Sequence, residues 1–168
     1  MHAFLSPPRP LGRPRKPRAR LNIVTAYEDL ATGQRAQKGY AFLTAELGDD
    51  CVFHQSLWRF SALRDPALKA QAVREVGEAD LFIVAVHGDA PEELSGLLNA
   101  WLAARENRDN ALVAVVEPKG TLRLAANSMA TRLRKLARHH GLEFLEQPVD
   151  NDDPEMRQAP RLRLAWVF

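Results

Sequence analysis

The feature of this chain that most constrains its fold is the run Leu81–Val86, which is apolar at every position. A strand with one face in water alternates apolar and polar residues, so an uninterrupted apolar run fits a strand that is covered on both faces. Such strands belong to parallel sheets with helices packed on each side. The run therefore predicts that residues 80–86 form a central strand of an α/β domain.

Short apolar runs alternate with segments of helical period on both sides of this strand, which is typical of a parallel sheet with crossover helices. We predict further strands at 21–27, 51–60, 111–116 and 142–145. The helices between them are predicted to start with a cap at Thr32, with Asp65-Pro66, at Pro91 and at Leu122. The second helix is predicted to bury Leu68, Ala72, Val73 and Val76.

The length of 168 residues and the hydrophobic content of 46% suit one full-sized core. We therefore predict one folded domain over residues 21–168, behind a leader at residues 1–20. No apolar run approaches the roughly 18 residues that a membrane-spanning helix needs, and residues 1–20 lack the apolar middle of a secretion signal. These observations predict a cytoplasmic protein with no membrane partner.

The leader contains six cations, no anion and five prolines, so we expect it to be extended and mobile. Its cations could bind nucleic acid without sequence preference, and the candidate residues are Arg13, Arg15, Lys16 and Arg18. The simpler interpretations are a solubilising tail or a start site placed too early. The rest of the chain carries 17 Lys and Arg residues against 21 Asp and Glu residues, so it is acidic by count.

The C-terminal part of the chain departs from a regular alternation of strands and helices. Residues 147–160 are acidic, contain prolines and show no helical stripe. Residues 161–168 alternate and then become wholly apolar, which predicts a sixth strand, antiparallel at an edge of the sheet. The alternative is a tail that docks on a protein partner, and a homodimer is one form such an assembly could take.

In open parallel sheets, ligands bind beyond the carboxyl ends of the strands where the strand order reverses, which here lies between the first and third strands. The candidate ligand-binding residues that the loops deliver there are Glu28, Asp29, Thr32, His87, Asp89, Glu117 and Lys119. Glu28, Asp29 and Asp89 could converge on Mg²⁺, and His87 could act as a general base. The simpler interpretation is that they are loop, cap and structural residues.

A phosphate site is a further hypothesis for the same loop. Thr32-Gly33-Gln34-Arg35 opens a helix with backbone donors and an arginine, which is the minimum for holding a phosphate. The glycine and lysine spacing of a P-loop or a dinucleotide fingerprint is absent.

The order of elements resembles the flavodoxin-like architecture, a doubly wound three-layer sandwich with strand order 2-1-3-4-5 that two-component receiver domains share. In receivers an acidic pair follows the first strand, and Glu28-Asp29 lies near that place. The phosphoacceptor aspartate of receivers ends the third strand, where this chain has Ala85. The resemblance therefore implies that aspartyl phosphorylation is absent.

The chain also resembles members of a bacterial family that has no assigned activity. The segments that carry this resemblance are Tyr27-Glu28-Asp29, Trp58-Arg59-Phe60, Glu78-Ala79-Asp80, Trp101-Leu102 and Gly141-Leu142-Glu143-Phe144. Our leading hypothesis is a non-catalytic receiver-like regulatory or protein-interaction domain, with no catalytic residue and no required cofactor. The alternatives are a small nucleotide- or metal-dependent enzyme or ligand binder, and a nucleic-acid accessory protein that acts through the leader.

Overall fold

The computed structural model describes residues 19–48, 51–104, 110–117 and 123–147. These residues form five strands and four α-helices in regular alternation, with one 3₁₀ turn at Phe60–Arg64. The elements in chain order are β1 (Ala19–Tyr27), α1 (Leu30–Leu47), β2 (Cys51–Arg59), α2 (Pro66–Gly77), β3 (Leu81–Val86), α3 (Glu92–Ala104), β4 (Ala111–Val116), α4 (Arg123–His139) and β5 (Glu143–Glu146).

The five strands form one sheet in the order β2-β1-β3-β4-β5, and every neighbouring pair is parallel. The chain moves outward in one direction from β1 to β2 and in the other from β3 to β5. The strand order therefore reverses between β1 and β3, and the carboxyl ends of both strands meet at this point. This confirms the predicted flavodoxin-like fold with strand order 2-1-3-4-5.

Both faces of β3 are covered, as the apolar run predicted, and all six of its residues are buried. One face packs against α2, α3 and α4 in the larger of two apolar clusters, where the rings of Phe82 and Trp101 meet edge to face with centroids 5.4 Å apart. The buried Trp101 indole N–H donates to the Ala79 carbonyl at 3.0 Å, so its polar atom is satisfied. The other face packs against α1 in the smaller cluster.

Three details differ from the sequence prediction. Strand β1 begins at Ala19, two residues earlier than expected. Asp29, not Thr32, is the N-cap of α1, because the helix begins at Leu30 and Thr32 lies in its first turn. Leu68 is 39% exposed, since it lies in the first turn of α2, before the turns that bring Ala72 and Val76 into the core.

Gly48 and Gly141, which follow α1 and α4, have positive φ of +56° and +63°, a conformation that glycine adopts readily where a helix ends. Residues 1–18 of the leader and the predicted strand at 161–168 lie outside the described residues. Within the part of the chain that the structure describes, no helix is both long enough and apolar enough to cross a membrane.

Candidate functional site at the carboxyl ends of the strands

Polar residues that follow four different strands meet at the carboxyl edge of the sheet. Backbone hydrogen bonds hold the start of each loop: Glu28 N–H donates to the Ala85 carbonyl at 3.0 Å, and Glu117 N–H donates to the Val86 carbonyl at 2.9 Å. The first residue after β5, Gln147, is held in the same way by β4. The side chains that meet there, which we call the strand-end cluster, are Glu28, Asp29, Arg35, His87, Glu117 and Gln147.

Asp29 ties the end of β1 to the start of α1. Its Oδ1 accepts a hydrogen bond from Thr32 N–H at 3.0 Å, and Thr32 Oγ1 accepts one from Asp29 N–H at 3.0 Å. These two bonds form a capping box, which satisfies backbone donors that the first turn of a helix otherwise leaves free. Gly33 N–H donates to the Asp29 carbonyl. The backbone N–H groups of Thr32 and Gly33, which were proposed to help hold a phosphate, are therefore occupied by Asp29.

His87 joins the loops that follow β1, β3 and β4. Its Nε2 lies 2.8 Å from Asp29 Oδ2, its Nδ1 lies 3.2 Å from the Glu117 carbonyl oxygen, and its backbone N–H donates to Glu28 Oε2 at 2.9 Å. Both ring nitrogens are therefore engaged by acceptor atoms of neighbouring loops, a carboxylate and a carbonyl. This engagement favours a structural role for His87.

The contacts of Asp29 determine its charge. The hydrogen bond from Thr32 N–H is the largest cause that lowers the pKa of Asp29, burial opposes it, and the hydrogen bond and charge of His87 lower the pKa further. The pKa of Asp29 falls from 3.8 to about 2. Asp29 is therefore a carboxylate at neutral pH.

A second charged pair lies beside His87. Arg35 Nη2 is 3.4 Å from Glu117 Oε1, and the two side chains are 18% and 26% exposed. Arg35 Nη1 and Glu117 Oε2 are enclosed, and neither has a hydrogen-bond partner among the described residues. Gln147 Nε2 donates to the Arg35 carbonyl at 3.4 Å, while its enclosed Oε1 is likewise unpaired there. Enclosed polar atoms without a protein partner are normally hydrogen-bonded to a water, an ion or a ligand.

The structure brings together five of the seven predicted ligand-binding residues: Glu28, Asp29, Thr32, His87 and Glu117. Asp89 is exposed and takes part in none of the hydrogen bonds or ion pairs found among the described side chains. Lys119 lies outside the described residues, as do Arg13, Arg15, Lys16 and Arg18 of the leader.

The proposed magnesium ligands do not form a metal site in the described part of the chain. No group of three or more His, Cys, Asp or Glu side chains there is arranged to hold a metal ion. Glu28 and Asp29 direct their carboxylate oxygens to His87 and Thr32, and Asp89 stays in solvent. The donor set gives no support to a resident Mg²⁺.

The sequence indicated Arg35 only as a phosphate ligand, and it predicted neither the pairing of Arg35 with Glu117 nor the participation of Gln147. Arg35 precedes the fully buried Ala36 on α1, so its stem approaches the sheet and its guanidinium reaches Glu117. Gln147 directly follows a parallel strand. Residues in that position lie at the carboxyl edge of the sheet, which is the reason that Glu117 was selected, and the same reason applied to Gln147. No local pattern predicts its contact with Arg35, because the two residues are 112 positions apart.

The opposite edge of the sheet carries a groove of about 260 Å³, which we call the amino-end groove. Its most connected side chain is Glu75, which accepts hydrogen bonds from Trp58 Nε1 at 2.8 Å and Gln71 Nε2 at 3.0 Å. Burial acts to raise the pKa of Glu75, but hydrogen bonds from Gln71, Ser56 and Trp58 and the nearby His54 together lower it. The lining residues are Arg20, Asn22, Ile23, Val24, His54, Ser56, Glu75 and Glu78.

Comparisons with protein-family models and with curated proteins find no match to this chain. The class of protein therefore follows from the molecule itself. The chain forms a flavodoxin-like α/β domain in which an internally bonded polar cluster occupies the edge where such folds bind ligands.

Proposed function

We propose that this chain is a non-catalytic, receiver-like regulatory or protein-interaction domain without a phosphoacceptor aspartate, which acts in the cytoplasm through a protein partner. The observation that carries the proposal is the engagement of both loop carboxylates by His87. An acidic pair that bonds to its own protein at two points is suited to holding loops in place, not to binding a metal or a phosphoryl group.

The end of β3 supports the same proposal. Ala85 occupies the place where the resemblance to receivers puts the phosphoacceptor, and its side chain is fully buried. A methyl group has no nucleophilic atom, and no water reaches it. Among the described residues, β3 therefore ends without a carboxylate, and the two acids that directly follow β1 are already bonded to His87.

Exposed apolar side chains support the interaction part of the proposal. Leu30 at the start of α1 is 71% exposed, and Val52 and Leu57 on β2 are each 48% exposed. Strand β2 is nine residues long and carries one charged residue, Arg59. Exposed large apolar groups beside a strand of that composition are typical of protein-contact surfaces.

Incubation with acetyl phosphate and Mg²⁺ tests the proposal. The expected result is an unchanged intact mass of the full chain, with a phosphorylatable receiver treated in parallel as the positive control. A stable phosphoryl adduct on an aspartate of this chain would contradict the proposal.

A second candidate function is a small-ligand binder, which the unpaired Arg35 Nη1 and Glu117 Oε2 favour. A thermal-shift screen of nucleotides, with and without divalent ions, tests it. A true ligand should raise the melting temperature of the wild type and of Asp89→Asn, which changes an exposed acid, but not that of Glu117→Gln. A flat response of the wild type removes this candidate.

A further inference from the structure

The charged residues of helix α4 are all basic, whereas the domain as a whole is acidic by count. Its 17 residues contain five Lys and Arg residues and no Asp or Glu. Outside α4 and residues 1–20, the chain has 12 Lys and Arg residues against 21 Asp and Glu residues. Helix α4 therefore carries five cations and no anion in a domain that is otherwise acidic by count.

The charge lies on the solvent side of α4. Met129, Ala130, Leu133 and Ala137 are buried in the larger apolar cluster, which fixes the orientation of the helix. The exposed residues between positions 128 and 139 are all basic or hydroxyl-bearing: Ser128, Thr131, Arg132, Arg134, Lys135, Arg138 and His139. We call this surface the α4 basic face.

One cation of this face is anchored within the domain and three are not. Arg134 pairs with Glu146 and lies over the Phe144 ring, with 5.5 Å from its guanidinium carbon to the ring centroid. Arg132, Lys135 and Arg138 form no ion pair with any described residue. They follow one another at steps of three, over about 9 Å of helix length.

We propose that the α4 basic face binds the phosphodiester backbone of nucleic acid without sequence preference. Duplex DNA presents one negative charge per about 1.7 Å of its axis, so about 9 Å of duplex offers more phosphates than the three free cations can neutralise. Arg, Lys, Ser and Thr side chains are the usual phosphate ligands, and this face consists of them. The inference does not depend on the receiver-like function proposed above.

The composition of the face favours nucleic acid over the other anionic partners. A membrane-surface helix needs an apolar face free to enter the bilayer, whereas the apolar face of α4 is buried in the domain. Protein interfaces place aromatic or aliphatic anchors at their centre and are depleted in Lys, whereas the α4 basic face exposes no such anchor among its described residues. Backbone phosphates require charge and hydrogen-bond donors alone.

The test compares two triple variants of the full chain by fluorescence polarisation. Arg132→Gln/Lys135→Gln/Arg138→Gln removes the free cations of the face, and Gln retains helix propensity. Lys38→Gln/Lys69→Gln/Arg74→Gln is the matched control, since it removes the same charge from exposed positions on α1 and α2. Because residues 1–20 are unchanged in both proteins, any binding by their cations contributes equally.

The α4 variant should bind short duplex DNA at least about tenfold more weakly than the control at about 50 mM salt. The slope of log affinity against log salt should become shallower by about 2.7 for the triple variant and by about 0.9 for Arg138→Gln alone. A single-stranded RNA arm distinguishes the two sources of phosphodiester. Equal binding by the α4 and control variants, no binding by the wild type, or equal displacement by polyglutamate would each overturn the proposal.

Discussion

The two ends of the sheet handle their polar groups in opposite ways. At the carboxyl end, His87 bonds to loops whose residues are 30 to 59 positions away in sequence, and the charged side chains face one another. Toward the amino end, an open groove remains beside Glu75, which bonds to Gln71 on its own helix and to Trp58 near the carboxyl end of β2. The end where this fold class binds ligands is closed by its own side chains, and the other end is open.

This difference indicates what each end contributes to stability. A bond between distant loops holds parts of the chain that local structure does not hold, so its loss should loosen several loops together. A bond between neighbouring elements supports a contact that packing already maintains. Matched substitutions, compared by their free energies of unfolding, test this difference.

The largest effect is expected for Asp29→Ala. This change removes both the cap of α1 and the bond to His87, so the free energy of unfolding should fall by about 2 kcal/mol. Asp65→Ala is the matched control, because Asp65 caps α2 through two backbone N–H groups and its side chain bonds to no distant loop among the described residues. It should cost about 1 kcal/mol. Equal losses in urea unfolding would show that the bond to His87 adds nothing.

A smaller effect is expected for Trp58→Phe, at the contact between β2 and α2. This change keeps the aromatic ring in the core and removes the N–H that donates to Glu75, so the loss should be about 1.5 kcal/mol. Gln71 remains as a donor to Glu75. Urea unfolding measures the loss, and a double-mutant cycle with Glu75→Met, which removes the acceptor oxygens, separates the hydrogen bond from the change in packing. A coupling energy near zero would contradict the role given to this bond.

The smallest effect is the acid dependence of the carboxyl end. The pKa of Asp29 is about 2 in the folded protein against 3.8 for the free group, so its contribution to stability is complete above pH 3.8 and is lost as pH falls toward 2. Because the side chain is 38% exposed, solvent screening limits this contribution to about 1 kcal/mol. The stability of Asp29→Ala should fall less over the same interval. Parallel curves for the two proteins would contradict the assignment.

The fold was predictable because its signals are local. The continuous apolar run at 81–86 required a strand covered on both faces, and the alternation of strands and helices then favoured a parallel sheet. Most of the strand-end cluster was predictable for a related reason. Residues that directly follow parallel strands lie at one edge, which selected Glu28, His87 and Glu117 before any contact was known.

The remaining contacts depend on geometry that no local pattern encodes. Asp29 and Thr32 are both residue types that cap helices. Asp29 is the cap because α1 begins at Leu30. The bond between Trp58 and Glu75 depends on how α2 crosses β2, which side-chain periodicity does not specify. Polar contacts between elements were therefore less predictable than the elements themselves.

The packing around Ala85 limits which residues can replace it. The residue is fully buried and belongs to the same apolar cluster as Ile83 and Val115. An aspartate introduced there would place a carboxylate among hydrocarbon groups, at a cost of several kcal/mol, out of the 5–15 kcal/mol that stabilises a typical domain. A carboxylate at this position therefore requires that its apolar neighbours be replaced as well, so a single substitution does not suffice.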